Sequence, residues 1–165
     1  MHLKQIPISQ WGEIADPVFL ASLPILPEEF ASKYNVAFEE IEDDGLGIAQ
    51  VAVIEHGSTP YFLIAHPQGH EESHYLTVMA RSFEPDSNYT LEKLLTVLGV
   101  SRTELRWQND QLGAAQWVLF RMDDYGNEAE MLRFHSQWSA ESVRKRYEDK
   151  GHKQIYFVRN LSDLK

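Results

Sequence analysis

Three histidines spaced four residues apart have the clearest capacity for metal chemistry in this sequence. His66, His70 and His74 have two glutamates between the last two. On an α-helix this spacing would place three imidazoles on one face, a plausible Zn²⁺ or Ni²⁺ site. Residues 70–74 match the His-Glu-x-x-His pattern of zinc proteases, but that pattern acts on a helix. Here Pro67 and Gly69 interrupt the segment, and strand-like runs flank it on both sides. We therefore predict a polar hairpin loop without a bound metal, and a metal-binding protein or metal enzyme remains an alternative function.

Five carboxylates between residues 39 and 44 form the second chemically notable group: Glu39, Glu40, Glu42, Asp43 and Asp44. They lack the Asp-x-Asp-x-Asp-Gly pattern of a calcium-binding EF-hand loop. We expect them to form an electrostatic docking patch for a basic protein, with Phe38 and Tyr34 close by in the sequence. The alternative is a solvated, charged connection with no binding role.

The charge of the chain is distributed unevenly. The first hundred residues contain 15 acidic and 4 basic side chains, whereas the rest contains 10 acidic and 11 basic ones, so the net charge of −10 divides into −11 and +1. A negative field repels nucleic acids and anionic membranes and speeds association with basic partners. The sequence therefore favours a basic protein partner over a nucleic acid or a membrane.

Residues 91–107 resemble a helix-turn-helix, which keeps a DNA-binding regulator as an alternative function. Thr90 is expected to cap a leucine-rich helix that ends at Gly99, with Tyr89 and Leu94 as a hydrophobic staple. A capping box over residues 101–104 would open a second helix that carries Arg102 and Arg106. The acidic side chain between these arginines opposes DNA binding, and an ordinary helical turn is the other interpretation.

No other catalytic motif is present. The sequence contains no glycine-rich phosphate loop and no Gly-x-Ser-x-Gly elbow. Asp123 and Asp124 are paired carboxylates, which serve acid/base chemistry or Mg²⁺ binding in some enzymes. Because Tyr-Gly-Asn follows them between two apolar segments, we predict turn residues instead. The sequence thus identifies no catalytic residue and no cofactor, and we expect a protein that is not an enzyme.

The helices and strands predicted around these groups indicate an α+β fold. Asp16-Pro17 and Pro27 each predict the start of a short helix. Apolar, β-branched runs over residues 48–54, 61–65 and 75–80 predict an antiparallel meander. The C-terminal part predicts a β-β-α-β unit, with strands over 117–122, 131–134 and 154–158. Its helix is expected to be capped by Ser139, with Trp138 and Val143 as a hydrophobic staple. We expect an acidic α+β domain over residues 1–108 and a unit over 113–165 docked on it.

Part of the C-terminal unit resembles a family of small bacterial proteins of unknown function. The shared pattern is Arg121-x-Asp123-Asp124-x-Gly126-Asn127, then Phe134, the Ala140 helix and Gly151-His152-Lys153-Gln154-x-Tyr156-x-Val158. The order of elements also resembles half of a SPOR (peptidoglycan-binding) repeat. The resemblance covers about a third of the chain. It implies a bacterial origin and a fold fragment, and it brings no function.

The composition and length of the chain indicate where the protein acts. The 165 residues contain no cysteine, and neither a signal peptide nor an apolar run of membrane-spanning length is apparent. We therefore expect a soluble, cytoplasmic protein whose oligomeric state the sequence does not determine. The leading hypothesis is a non-catalytic, bacterial protein-binding module, of the immunity or antitoxin type, that masks a basic partner. Trp11, Trp107 and Trp138 are its candidate aromatic anchors.

Overall fold

A computed structural model describes residues 3–11, 17–81, 86–151 and 153–164. The described residues form two compact units. The first comprises residues 3–11, 19–80 and 88–112, and the second comprises residues 17–18, 81, 86–87, 113–151 and 153–164. The predicted α+β fold, with an antiparallel meander and a C-terminal β-β-α-β unit, is confirmed. The predicted domain limits and the docking of the C-terminal unit stay predictions.

One sheet contains seven of the described strands: β1 (Lys4–Ile6), β2 (Pro17–Ser22), β3 (Glu39–Asp43), β4 (Gly47–His56), β5 (Thr59–Ala65), β6 (Thr77–Arg81) and β7 (Trp107–Gln108). Their order is β1-β4-β5-β6-β2-β7, and β3 also pairs with β4. The three predicted meander strands correspond to β4, β5 and β6, so their existence and order are confirmed. Their apolar runs form strands because β-branched and aromatic side chains pack well on a pleated surface.

Two helices accompany this sheet, α1 (Pro27–Tyr34) and α2 (Ser87–Leu98). The hydroxyl of Tyr61 on β5 donates a hydrogen bond of 2.9 Å to the carbonyl oxygen of Thr90 in α2. The Tyr34 hydroxyl at the end of α1 donates to the Leu98 carbonyl oxygen over 3.0 Å. Tyr61 is completely buried, and so is Leu94 of α2. Each such side chain contributes roughly 1.5–3 kcal/mol through its burial.

The predicted helix start at Pro17 is wrong, because Pro17 begins strand β2. Asp16, its expected cap, lies outside the described residues. In β2, Ala21 pairs with Gln108 and Ser22 pairs with Trp107 of β7. Hydrogen bonding to a strand that is distant in the sequence therefore overrides the local Asp-Pro helix signal. The second predicted start is confirmed, since Pro27 is the first residue of α1.

Helix α2 begins one turn earlier than predicted. Its first residue is Ser87, so Thr90 lies inside the helix and does not cap it. Tyr89 is exposed whereas Leu94 is buried, and the predicted staple between them is therefore wrong. The predicted end is confirmed, because Gly99 follows Leu98 with a φ of +67°. This left-handed conformation favours glycine and terminates many helices.

The second unit is formed by β8 (Trp117–Met122), β9 (Glu128–Phe134), α3 (Gln137–Asp149) and β10 (Ile155–Asn160). The strand order is β10-β8-β9, and both pairings are antiparallel. Among the described residues of this unit, a core cluster is formed by the buried side chains of Leu119, Phe134, Ala140, Val143 and Tyr156. Helix α3 thus covers one face of a three-stranded sheet, as the β-β-α-β pattern predicts.

The cap of α3 lies three residues before the predicted one. The Ser136 Oγ accepts a hydrogen bond of 3.1 Å from the Ser139 backbone N–H, which makes Ser136 the N-cap. Ser139 is buried in the first turn of the helix, and Trp138 beside it is exposed. The predicted Trp138–Val143 staple is therefore wrong, because both residues lie within the helix.

Candidate functional sites

The acidic run forms a β-strand, which the sequence did not indicate. Strand β3 pairs with β4, with Glu40 opposite Gln50 and Glu42 opposite Ile48. Strand β5 pairs with β4 through residues that include Gln50, so β3 must lie on the opposite side of β4. Among the described strands none pairs with the outer side of β3. We call β3 together with Asp44 the acidic strand.

All five predicted docking residues therefore lie on one edge of the sheet. Glu39, Glu40, Glu42 and Asp44 are exposed, and in the described part of the chain none of these four forms an ion pair. Asp43 is different, because its Oδ2 lies 2.8 Å from the Nε2 of His66. The acidic strand thus presents four carboxylates to solvent on an open backbone edge.

Aliphatic rather than aromatic side chains accompany these carboxylates. Leu46 in the turn after the acidic strand has 65% of its surface exposed, and Ile41 and Ile48 are also partly exposed. The aromatic neighbours expected from the sequence belong to packing around α1, where the rings of Phe30 and Phe38 meet edge to face with centroids 6.3 Å apart. A partner that approaches the acidic strand would therefore meet acidic and aliphatic groups together.

The histidine segment is a hairpin loop, as predicted, with one turn of 3-10 helix at Glu71–His74. Its imidazoles do not converge. The His66 ring contacts Asp43, while the His74 Nε2 lies 3.0 Å from the carbonyl oxygen of Gly69. Among the described residues no group of three or more His, Cys, Asp or Glu side chains is arranged to hold a metal ion.

The segment predicted to resemble a helix-turn-helix has no recognition helix. The predicted capping box is confirmed, because the Ser101 backbone N–H donates to Glu104 Oε2 over 2.7 Å and the Ser101 Oγ accepts from Thr103. The helix that follows is a single 3-10 turn, Arg102–Glu104, and the chain then enters β7. Arg102 also bonds to Glu92 of α2, so its guanidinium stabilises the turn. The geometry needed to enter a DNA groove is missing from this segment.

Asp123 is a turn residue, as predicted. Its Oδ1 accepts hydrogen bonds of 2.9 Å from the backbone N–H groups of Tyr125 and Asn127. The Asn127 side-chain amide donates to its Oδ2, also over 2.9 Å. The side-chain bond from Asn127 is the largest cause of the lowered pKa of Asp123, and the backbone bonds add to it. This carboxylate is therefore engaged in its own loop rather than in acid/base chemistry.

The three predicted tryptophan anchors differ in their surroundings. Trp11 packs against Phe62, with ring centroids 5.4 Å apart, and is half-buried. Trp138 is exposed on α3. Trp107 on β7 has 48% of its surface exposed and lines a pocket of about 640 Å³. Trp107 thus combines an exposed side chain with a concave site.

We call this cavity the Trp107 pocket, and its main chemical groups are Ser22, Glu72, Glu104, Arg106 and Trp107. No motif in the sequence indicates this pocket. Ser22 and Trp107 are opposite each other in the β2–β7 ladder, so their side chains lie on the same face of the sheet. No local pattern reveals this pairing, because the two strands are far apart in the sequence.

One wall of the Trp107 pocket is built from an arginine held between an aromatic ring and a carboxylate. The Arg106 Nε and Nη2 donate to the two Glu72 carboxylate oxygens over 2.7 and 2.5 Å. The same guanidinium lies over the Tyr75 ring, 3.9 Å from its centroid. The hydrogen bond from Arg106 lowers the pKa of Glu72 and raises that of Arg106. The pair is therefore ionised, and its opposite charges offset each other.

Ser22 carries the most unusual polar atom of this pocket. The residue is 7% exposed, and its Oγ is buried without a hydrogen-bond partner among the described residues. An unpaired buried hydroxyl costs about 1–3 kcal/mol, so most such groups in folded proteins are satisfied. A polar group that stays unpaired beside a pocket is a natural contact for a ligand.

Comparison of the chain with protein-family models, curated proteins and solved structures found no match. None of the described helices has the length and apolar character required to cross a membrane. The resemblance of the C-terminal unit to small bacterial proteins stays a prediction.

Proposed function

We propose that this chain is a non-catalytic protein-binding module that docks a basic partner on the acidic strand. The observation that carries the proposal is the position of four exposed carboxylates on a strand whose outer edge pairs with no other described strand. Open edges accept extended segments of other proteins through main-chain hydrogen bonds. The carboxylates then restrict such pairing to segments that carry positive charge.

The carboxylates of the acidic strand and the aliphatic side chains in and beside it have separate roles in this proposal. The negative field attracts a basic partner and raises the association rate. The exposed aliphatic groups at Ile41, Leu46 and Ile48 provide apolar contacts that slow dissociation. Charged side chains on an open edge also prevent strands of like molecules from pairing, since juxtaposed carboxylates repel each other. The same charges thus oppose self-association and favour a partner of opposite charge.

The more specific form of the proposal is a bacterial, cytosolic immunity or antitoxin protein. Such a protein masks a basic surface of its partner, and an acidic surface is the chemistry that this task requires. The net charge of −10, concentrated in the first hundred residues, supports this version.

The experiment compares three immobilised proteins as baits in a bacterial lysate. They are the wild type, the triple variant Glu39→Lys, Glu40→Lys, Glu42→Lys, and a control with the same charge change at exposed acids outside the acidic strand, Asp110→Lys, Asp149→Lys, Asp163→Lys. We expect a basic protein to be retained by the wild type and the control and lost from the triple variant. Lysine is well tolerated on strand edges, so the triple variant should keep its fold, which circular dichroism checks.

Two results would refute the proposal. One is equal capture of the same partner by the wild type and the triple variant. The other is loss of the partner from the control as well, because net charge rather than the acidic strand would then determine binding.

A further inference from the structure

We propose that the Trp107 pocket binds a guanidinium group of a ligand, which stacks on Trp107 and pairs with Glu104. The ligand class is thus an arginine side chain or a small guanidine compound. The proposal does not depend on the acidic strand, because every residue that it uses lies in the Trp107 pocket. It therefore adds a second binding site to the proposed protein-binding module.

The first support is an arrangement that the chain itself already contains. The Arg106 guanidinium lies over the Tyr75 ring, 3.9 Å from the centroid, while the Glu72 carboxylate receives two of its N–H groups. An aromatic ring beside a carboxylate is thus a guanidinium site in this part of the fold. Trp107 and Glu104 offer a second ring and a second carboxylate in the same pocket. No cation of the described residues occupies them.

The second support is the charge of the pocket. Glu72 and Arg106 neutralise each other through their paired hydrogen bonds. Glu104 forms no ion pair within the described part of the chain, and its contact with the Ser101 backbone N–H uses one oxygen, Oε2. Its other oxygen, Oε1, can still accept hydrogen bonds. The pocket therefore has one excess negative charge, which favours a cation over an anionic ligand.

The third support is the buried hydroxyl of Ser22. Its Oγ has no hydrogen-bond partner among the described residues, and its side chain lies on the same face as the Trp107 indole. A hydroxyl accepts hydrogen bonds as well as donating them. The Ser22 Oγ is covered by its neighbours, so it receives an N–H from a group stacked on that indole once those side chains shift. A guanidinium carries five N–H donors in one plane, so after it pairs with Glu104 it still has donors for Ser22.

These features favour a guanidinium over an ammonium group. A guanidinium is flat and weakly hydrated, and it stacks on aromatic rings, whereas an ammonium is compact and strongly hydrated. The exposed indole of Trp107 offers a flat surface with 48% of the residue accessible. A stacked, planar cation uses that surface and the two acceptors beside it.

The experiment follows the indole N–H signals of the full chain by nuclear magnetic resonance. The protein has four tryptophans, and the variant Trp107→Phe assigns the signal of Trp107. The probe is N-acetyl-arginine amide, and N-acetyl-citrulline amide is its uncharged control of nearly the same shape. We expect the arginine compound to shift the Trp107 signal in a saturable manner and the citrulline compound to leave it unchanged. A Trp107 signal that the two compounds shift equally, or that neither shifts, would overturn the proposal.

Glu104→Gln is the decisive variant, because glutamine at the third helical position still supports a capping box. We expect it to weaken binding by about tenfold, since a charge-assisted hydrogen bond is lost. The matched control is Glu29→Gln, which changes the carboxylate that accepts from the Leu26 backbone N–H at the start of α1. Ser22→Ala should weaken binding without lowering the melting temperature, because the hydroxyl has no described partner to lose. Unchanged binding by Glu104→Gln would overturn the proposal.

Butylguanidinium distinguishes the two sources of the guanidinium. Tighter binding of N-acetyl-arginine amide than of butylguanidinium supports an arginine side chain of a protein as the natural ligand. Binding of butylguanidinium that is at least as tight as that of N-acetyl-arginine amide supports a small guanidine compound. The triple variant of the acidic strand should bind both probes as the wild type does, so failure of this proposal and failure of the proposed function are separable.

Discussion

The hydroxyl of Tyr61 allows a stringent test of how α2 is fixed to the sheet. Tyr61 is fully buried on β5, and its hydroxyl donates to the Thr90 carbonyl oxygen over 2.9 Å. The substitution Tyr61→Phe removes this hydrogen bond and leaves the ring in place. Because Thr90 lies inside α2, its carbonyl oxygen also accepts the backbone bond of the helix and is not left unpaired.

The expected loss is therefore that of one net hydrogen bond, about 0.5–1.5 kcal/mol. For a chain of this size a change of 1 kcal/mol shifts the melting temperature by about 2–4 °C, so we expect a decrease of about 1–6 °C. Urea denaturation followed by circular dichroism gives the change in the free energy of unfolding from the shift in midpoint.

Tyr125→Phe is the matched control, because it removes the same hydroxyl from a residue that is 92% exposed. We expect this variant to unfold at the wild-type midpoint within about 0.3 kcal/mol. If Tyr61→Phe were as stable as Tyr125→Phe, the hydrogen bond between β5 and α2 would contribute nothing to the fold and our description of that contact would be incorrect.

Two further predictions concern the second unit. The folded-state pKa of Asp123 is lowered, so its carboxylate stabilises the fold above the ordinary Asp pKa of about 4, and this stabilisation is lost as the pH falls through the lower folded-state value. Asp123→Asn should therefore have a lower melting temperature than the wild type at neutral pH and the same melting temperature in strong acid. A difference in melting temperature that stays constant from neutral to strongly acidic pH would contradict the predicted linkage. Phe134→Ala should cost about 3–5 kcal/mol by opening a cavity in the second core, because Phe134 is fully buried. Hydrogen exchange should then lose protection in β8, β9 and β10, and wild-type protection there would contradict this packing.

The sequence predicted the parts of the fold whose signals are local. The β-branched runs predicted strands β4 to β6, and Gly99 predicted the end of α2, and the structure contains both. The predicted cap of α3 is wrong because two serines near the start of the helix could each provide it. At α3 the hydroxyl of Ser136 faces the first free N–H groups, whereas Ser139 turns into the core. Capping depends on which hydroxyl can reach those groups, and the sequence alone does not distinguish the two.

The features that the sequence did not predict depend on pairing between strands that are far apart in the sequence. Strand β2 forms because Ala21 and Ser22 pair with β7, which lies far from them in the sequence. The Trp107 pocket depends on the same pairing, and the sequence provided no signal for it. The five carboxylates are recognisable as a group in the sequence, but their strand is not, because carboxylates are rare in strands. An edge position removes that penalty, because the side chains of β3 remain in water while its backbone bonds to β4.

The most direct test of the central claim is the salt dependence of association between this chain and its captured basic partner. Association rates are measured by surface plasmon resonance from about 0.05 to 0.5 M salt, a range over which screening becomes strong. We predict that the rate falls at least about tenfold for the wild type, and that Glu39→Lys, Glu40→Lys, Glu42→Lys removes most of this dependence. A rate independent of salt, or an equal dependence in the triple variant, would contradict docking on the acidic strand.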